Sequence, residues 1–198
     1  MGNLSARVVQ ALARQRARLA VALARPRARL AVALARRRVA LGFVAAVAVL
    51  VLARPTWESW RAGLLIAVAG ECLRLWAAGH LEKSREVTRS GPYRLLRHPL
   101  YAGSMVIAFG VAIASRGAAP ALVAGLYMGL TIGAAIHVEE SHLRQAFGTT
   151  YDDYRESRAE PMVRRFSLAR ALRNREHRAC IGLIFGFALL ALKILAPL

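Results

Sequence analysis

The residues best suited to chemistry lie in one short stretch, residues 90–104, which reads SGPYRLLRHPLYAGS. Two arginines, a histidine and two tyrosines surround two prolines there, at the start of an apolar run. Polar side chains beside lipid cost free energy, so those that persist in a hydrophobic chain tend to serve a function. A later stretch, HVEESHL at 137–143, ends another apolar run with two adjacent glutamates. These cationic, aromatic and acidic groups favour a ligand-binding or catalytic site.

The side chains of the two stretches match the parts of one cofactor in particular. Arginine and histidine favour a carboxylate or a phosphate; glutamates favour ribose hydroxyls or an ammonium group, and tyrosines stack on adenine or face a cation. Pro99 would begin a helix, and a helix amino terminus attracts anions. S-adenosylmethionine has a carboxylate, an ammonium, a ribose, an adenine and a sulfonium, so it fits. A nicotinamide dinucleotide also fits, although its two phosphates would require more basic groups and the sequence has no glycine-rich dinucleotide loop.

Composition indicates that these stretches are positioned by a membrane protein. The 198 residues are 57% hydrophobic and carry a formal net charge of +18. A nucleic-acid-binding protein can be this basic, but it would not contain so many long apolar runs, so no nucleic-acid partner is expected. Cys72 and Cys180 lie in apolar runs without ligand spacing, which predicts small buried side chains.

Five apolar runs predict the elements of the fold. They cover approximately 39–53, 62–79, 99–114, 118–138 and 179–197. Because a spanning helix needs about 20 residues, these runs predict an all-α, integral-membrane bundle of about five transmembrane helices. Glu71 and Arg74, three apart in the second run, are expected to pair and to face inward. Glycines spaced four apart predict close helix packing, at Gly125, Gly129, Gly133, Gly182 and Gly186.

The first 38 residues differ from the rest of the chain. They contain ten arginines and no acidic residue, and the sequence RARLAVALAR occurs twice, at 16–25 and 27–36. This pattern is typical of a basic helix on an anionic membrane surface, and equally of low-complexity sequence. We therefore divide the chain into a basic interfacial segment, 1–38, and a membrane domain, 39–198.

The distribution of basic residues predicts the orientation of the bundle. Segments 1–38, 80–98 and 139–178 hold nearly all the arginine and lysine and lie on one side of a five-span topology. Basic loops stay in the cytoplasm, so the amino terminus and the site are predicted to face the cytoplasm. The third and fourth runs, joined by SRGAA, form a hairpin that returns to this face. Arg97, His98 and Tyr101 are therefore expected to meet Glu139 and Glu140 in a polar pocket.

Taken as a set, the motifs resemble those of the isoprenylcysteine carboxyl methyltransferase and phospholipid methyltransferase superfamily. The similar sequences are GPYRLLRHPLYAG at 91–103 and the pattern EE…L…FG…Y..Y at 139–154, preceded by LRLWAAGHL at 73–81. The resemblance covers roughly residues 70–158. The matching positions are Gly91, Pro92, Tyr93, Arg97, His98, Pro99, Tyr101, Gly103, Glu139, Glu140, Leu143, Phe147, Gly148, Tyr151 and Tyr154.

This resemblance implies an integral-membrane methyltransferase that uses S-adenosylmethionine and no metal. It implies catalytic roles for Arg97, His98 and Glu140. Family members take a lipophilic acceptor from the membrane and transfer the methyl group by in-line displacement, so positioning and desolvation are the main tasks of the protein. By position, it implies cofactor contacts at Val87, Thr88, Tyr93, His98, Pro99, Leu100, Tyr101, Glu139 and Glu140.

The expected partners are membrane lipids and a lipophilic acceptor that carries a carboxylate, thiol or amine, and the expected location is a bacterial inner membrane. The sequence departs from the family after YDDYRES, where RAEPMVRRF replaces a short arginine-proline stretch and a fifth apolar run follows. No acceptor role is therefore assigned to Arg158 or Arg164. His137 is a candidate on the acceptor side, and Tyr151 and Tyr154 are expected to anchor an interfacial helix.

Two other functions stay open at this point. Sterol reductases share a similar arginine-histidine-tyrosine motif at a helix start, so a membrane reductase with a nicotinamide cofactor is one alternative. A non-enzymatic membrane protein, whose basic amino-terminal segment binds anionic lipid, is the other. The GPY…RHPxYxG motif, together with the acid pair Glu139 and Glu140, favours the methyltransferase.

Overall fold

The computed structural model describes residues 30–83 and 85–196, and every regular element within these ranges is helical. Residues 1–29, which hold most of the basic segment, lie outside the described residues. A 3₁₀ turn, Gly91–Arg94, precedes the third helix. In chain order the helices are α1 (30–52), α2 (Trp57–Ala78), α3 (Pro99–Ser115), α4 (Ala118–Phe147), α5 (Thr149–Arg155), α6 (Leu168–Arg173) and α7 (Glu176–Leu195). The all-α prediction is confirmed.

The five apolar runs each lie on a long helix, namely α1, α2, α3, α4 and α7. Within the described residues, α4 and α7 are the two helices long and apolar enough to cross a membrane by length and composition, and α3 is apolar but shorter. The chain is an integral-membrane helical bundle. At 30 residues, α4 continues nine positions past the predicted end of its apolar run at 138. This polar extension carries Glu139 and Glu140.

Local sequence sets the ends of the central helices. At the start of α2, Ser59 N donates to Thr56 Oγ1 (3.4 Å) and Thr56 N donates to Ser59 Oγ (3.0 Å), a reciprocal cap. Pro99 occupies the first position of α3, where its missing N–H costs nothing. Arg116, with φ of 45°, ends α3 in the left-handed conformation, and α4 begins two residues later. The predicted hairpin of α3 and α4 therefore forms.

The closest helix contact joins α2 to α3 and depends on glycines seven residues apart on each helix. A Cβ atom at Gly70 would lie 2.7 Å from the carbonyl oxygen of Gly103. Two helical turns away, a Cβ at Gly110 would lie 2.5 Å from the carbonyl oxygen of Gly63. Both distances are shorter than a Cβ can tolerate, so only glycine lets the two backbones approach this closely.

The glycines that the sequence singled out do not make this contact. Within the described residues, a Cβ built at Gly125, Gly129, Gly133, Gly182 or Gly186 would have no heavy atom within 4 Å other than the neighbouring residues and backbone of its own helix. These glycines therefore do not mediate close packing within the described bundle. A spacing of four marks a helix face on which small residues are available, but the spacing alone does not determine which face meets a neighbour.

Helix α7 packs against α2 and α1 through polar as well as apolar contacts. Trp60 Nε1 donates to the carbonyl oxygen of Phe187 (2.8 Å), and the two rings meet edge to face. Lys193 Nζ donates to the carbonyl oxygens of Leu50 and Val51, each at 2.8 Å. Phe187 is buried in the core cluster of the bundle. The fifth apolar run is thus an integral part of the fold.

We predict that Gly70→Ala lowers the thermal unfolding midpoint of the detergent-solubilised protein, because the methyl group forces α2 and α3 apart. Overpacking of this kind costs about 1–3 kcal/mol. Gly129→Ala is the matched control, since it adds the same methyl group in open space and gains up to about 1 kcal/mol of helix propensity. Equal midpoints for the two variants would contradict this packing account.

Candidate functional site

A cavity of about 850 Å³ lies where the polar extension of α4 meets the first turns of α3 and α7. Helix α1 and the loop before the 3₁₀ turn close its other sides. Its lining includes nearly all of the residues selected from the sequence, namely Val87, Thr88, Tyr93, Arg97, His98, Pro99, Leu100, Tyr101 and Glu139. Glu140 is outside the lining but contacts His98. The cavity therefore collects residues from segments that are far apart in sequence.

The 3₁₀ turn places Tyr93 in the cavity wall. Gly91 has a φ of 57°, in the left-handed region, and a Cβ there would lie 2.6 Å from the ring of His80. Both observations require glycine at this position. Pro92 follows within the turn, and the Tyr93 side chain is buried. Tyr154 Oη donates to the carbonyl oxygen of Tyr93 (2.8 Å), which ties α5 to the turn.

His98 and Glu140 connect α3 to α4 at the edge of the cavity. His98 Nε2 lies 3.2 Å from Glu140 Oε1, within hydrogen-bonding distance. Arg97 Nη1 lies 3.9 Å from the same oxygen, and half of the Arg97 side chain is exposed. The rings of His98 and Tyr101 have centroids 5.8 Å apart. The structure thus places together the three residues for which the sequence suggested catalytic roles.

The remaining acid of the pair, Glu139, lines the cavity without a basic partner within 4 Å among the described residues. Burial raises the pKa of Tyr93 well above its usual range, and the negative charge of Glu139 adds to this shift.

Tyr151 and Tyr154 also line the cavity. Burial raises the pKa of each to about 12. The prediction of an interfacial anchor is wrong for Tyr151, because its side chain is buried.

Arg74 forms a buried ionic network at the inner side of the cavity. Arg74 Nε donates to Glu176 Oε1 (2.7 Å), and the same nitrogen lies 3.5 Å from Glu71 Oε2. Arg74 Nη1 donates to the Leu100 carbonyl oxygen (3.5 Å) and to Ser104 Oγ. The expected pairing of Glu71 with Arg74 is therefore present, and it extends to two further helices.

Sequence reasoning missed Glu176, which is buried and lines the cavity. The available signal was weak, because Glu176 is one acid among the arginines of RNREHR at the start of the fifth run. Arg36 and Arg38 of α1 also line the cavity, although no chemistry was expected of the basic segment. Tyr127 Oη donates to the Arg38 carbonyl oxygen (3.0 Å), which fixes α1 against α4.

The two cysteines differ in their surroundings. Cys180 is half-buried and its thiol donates to Glu71 Oε1 (3.0 Å). Cys72 is exposed, so the prediction of a buried side chain is wrong for it. Its position on α2 faces away from the α3 and α7 contacts that bury Glu71.

Two arginines after the motif stabilise the loop that borders the cavity. Arg164 forms a bidentate pair with Glu86, with N···O distances of 2.6 and 2.9 Å. Arg170 Nε donates to Glu82 Oε1 (2.7 Å). Arg158 instead pairs with Asp153 (3.1 Å) on α5. Neither Arg158 nor Arg164 lines the cavity, and His137, the acceptor-side candidate, is exposed and also outside the lining.

Comparison with known proteins identifies the part of the chain that builds most of this site. Residues 62–150 match the family model for phospholipid methyltransferase. A probable protein-S-isoprenylcysteine O-methyltransferase of Oryza sativa subsp. indica is 30% identical over 110 residues, which are 50% of this chain and 58% of that protein. The cobalt-zinc-cadmium resistance protein CzcN of Cupriavidus metallidurans is 32% identical over 110 residues, 51% of each chain.

A third relative, the nickel-cobalt-cadmium resistance protein NccN of Alcaligenes xylosoxydans xylosoxydans, is 33% identical over 94 residues, 46% of this chain and 42% of that protein. The chain thus spans about half the length of the curated relatives it matches. No solved structure matches it. The match over residues 62–150 agrees with the resemblance that the motifs carry, to the isoprenylcysteine carboxyl methyltransferase and phospholipid methyltransferase superfamily.

Proposed function

We propose that the protein is an integral-membrane methyltransferase that transfers a methyl group from S-adenosylmethionine to a lipophilic acceptor carrying a carboxylate, thiol or amine. The observation that supports this most strongly is the shared lining of one cavity. It is lined by the loop 87–88, the 3₁₀ turn, the first turn of α3 and Glu139 of α4. These are the segments that the family resemblance associates with the cofactor, and all of them border this cavity.

The cavity suits S-adenosylmethionine in size and in chemistry. Its volume of about 850 Å³ is within the range of small-molecule sites. The α3 amino terminus opens beside it, with Pro99 at its first position, and the positive end of the helix dipole favours a carboxylate there. Glu139 suits an ammonium group or ribose hydroxyls, and the tyrosines offer faces for adenine or a cation.

When bound, the cofactor supplies a methyl group on a sulfonium sulfur. The task of the protein is then to align the acceptor with that carbon and to exclude water. The hydrogen bond between His98 and Glu140 orients the imidazole. A neutral His98 that donates from Nε2 to Glu140 keeps Nδ1 as a proton acceptor. It would take the proton of a thiol or amine acceptor, whereas an ionised carboxylate acceptor needs no base.

Membrane placement follows the charge distribution. The site residues lie on the arginine-rich face predicted to be cytoplasmic, and a lipophilic acceptor would reach them from the adjoining leaflet. We propose a bacterial inner membrane as the location, with membrane lipids as the immediate partners of the helices.

We predict that the purified wild-type protein binds S-adenosylmethionine in isothermal titration calorimetry and does not bind NADPH. Glu139→Gln removes the free carboxylate and should weaken cofactor binding about tenfold or more. Glu156→Gln is the matched control, because Glu156 is exposed and outside the cavity. Binding of NADPH alone would indicate a reductase. Binding of neither ligand by a folded sample would indicate the non-enzymatic alternative.

We also predict that the protein loses stability as the pH rises from about 10 to 12. The pKa of Tyr154 is about 12 in the folded state and about 10 in the unfolded chain. The unfolded state therefore releases its proton first, and stability falls with increasing pH across this window. Thermal midpoints measured between pH 9 and 12 should fall less steeply for Tyr154→Phe. Identical slopes for variant and wild type would show that Tyr154 ionises normally.

A further inference from the structure

Glu176 stands out because it is a cavity residue from outside the family domain at 62–150. It is the first residue of α7 and is 4% exposed. Its Oε1 accepts the hydrogen bond of Arg74 Nε (2.7 Å), and the side chain lines the cavity. A buried carboxylate is costly unless its charge is balanced, so the balance of charge around it is informative.

The network around Glu176 has more negative than positive charge. Arg74 is the one cation within 4 Å of both Glu176 and Glu71 among the described residues, so two carboxylates share a single guanidinium. Glu71 does not line the cavity, whereas Glu176 does. Arg74 lines the cavity as well, so Glu176 reaches the wall beside the guanidinium that it shares with Glu71. Glu139 of α4 lines the same cavity without a basic partner within 4 Å in the described chain.

The other cations that line the cavity do not cancel this excess of negative charge. Arg36, Arg38 and Lys83 are exposed to solvent, which screens their charges. Arg97 is half-exposed and near Glu140. Glu176 is buried and Glu139 is half-buried, so solvent screens both carboxylates less. The less exposed part of the wall thus holds more carboxylates than cations, with Glu139 and Glu176 beside Arg74.

Tyr93 adds an aromatic surface to the negative part of the wall. Its side chain is buried and lines the cavity. The negative charges of both Glu139 and Glu176 contribute to the rise in the pKa of Tyr93, after burial itself, and all three side chains line the same cavity. An aromatic face beside carboxylates is the combination that recognises organic cations.

We propose that Glu176, together with Tyr93 and Glu139, recognises the sulfonium charge of S-adenosylmethionine and so distinguishes the cofactor from its product. This inference rests on the proposed function. On methyl transfer the carbon–sulfur bond breaks, its electron pair stays on sulfur, and the methyl group bonds to the acceptor. S-adenosylhomocysteine then has a neutral thioether, loses this attraction and leaves more readily. Helix α7 thereby completes the cofactor site.

The test compares the Kd values of S-adenosylmethionine and S-adenosylhomocysteine for the full-length protein in detergent. The wild type should bind the sulfonium compound more tightly. Glu176→Gln should weaken its binding about tenfold or more, while changing the Kd of S-adenosylhomocysteine by less than about twofold. Equal weakening of both ligands, or no change in either, would overturn the inference.

Two variants separate charge recognition from support of the fold. Glu71→Gln removes the other carboxylate partner of Arg74 but leaves the cavity lining unchanged; it should preserve the ratio of the two Kd values. Glu176→Asp keeps the charge and should retain most of that ratio. A ratio that changes as much in Glu71→Gln as in Glu176→Gln would mean that Glu176 acts only through Arg74.

A measurement on the wild type keeps the inference testable if Glu176→Gln does not fold. Sinefungin carries a protonated amine where S-adenosylmethionine has its sulfonium group, so it should bind more tightly than S-adenosylhomocysteine. Weaker or equal binding of sinefungin would count against a cation-recognising wall. If the wild type binds none of the three compounds, the proposed function itself fails; if it binds all three alike, only this inference fails.

Discussion

The ion pairing of the partly buried Arg74 guanidinium is the interaction on which the site depends. An arginine inside a membrane bundle must be paired, because an uncompensated buried charge costs several kcal/mol. Arg74 obtains its partners from α2, α3 and α7 and thereby fixes the first turn of α3 beside the start of α7. Gly103 leaves the space for this, since a Cβ there would lie 2.6 Å from Arg74 Cγ. Close packing and ion pairing thus support each other.

Features carried by local sequence could be predicted well. The apolar runs predicted the five long helices, and the SRGAA turn predicted the hairpin that brings His98 to Glu140. The spacing of Glu71 and Arg74 on one helix face predicted that they pair. In each case the deciding signal lies within one element, or in the lengths of two consecutive ones.

Features that depend on which helix faces meet could not be predicted. The α2–α3 contact uses Gly63 and Gly110, and nothing in either helix alone distinguishes these glycines from the unpacked ones on α4. The pairing of Arg74 with Glu176 spans 102 positions, a distance over which periodicity carries no information. The burial of Tyr151 likewise results from the fold of α5 under the cavity. These contacts are tertiary, and they include the one that brings α7 into the site.

The central claim is that the cavity proposed to bind the cofactor is built jointly by residues 62–150 and α7. Hydrogen–deuterium exchange of the detergent-solubilised protein, with and without S-adenosylmethionine, tests it most directly. The account predicts that the ligand slows exchange in the loop 81–98 and also in residues 174–180, at the start of α7. Slower exchange in the loop alone, with residues 174–180 unchanged, would contradict the claim that α7 completes the site.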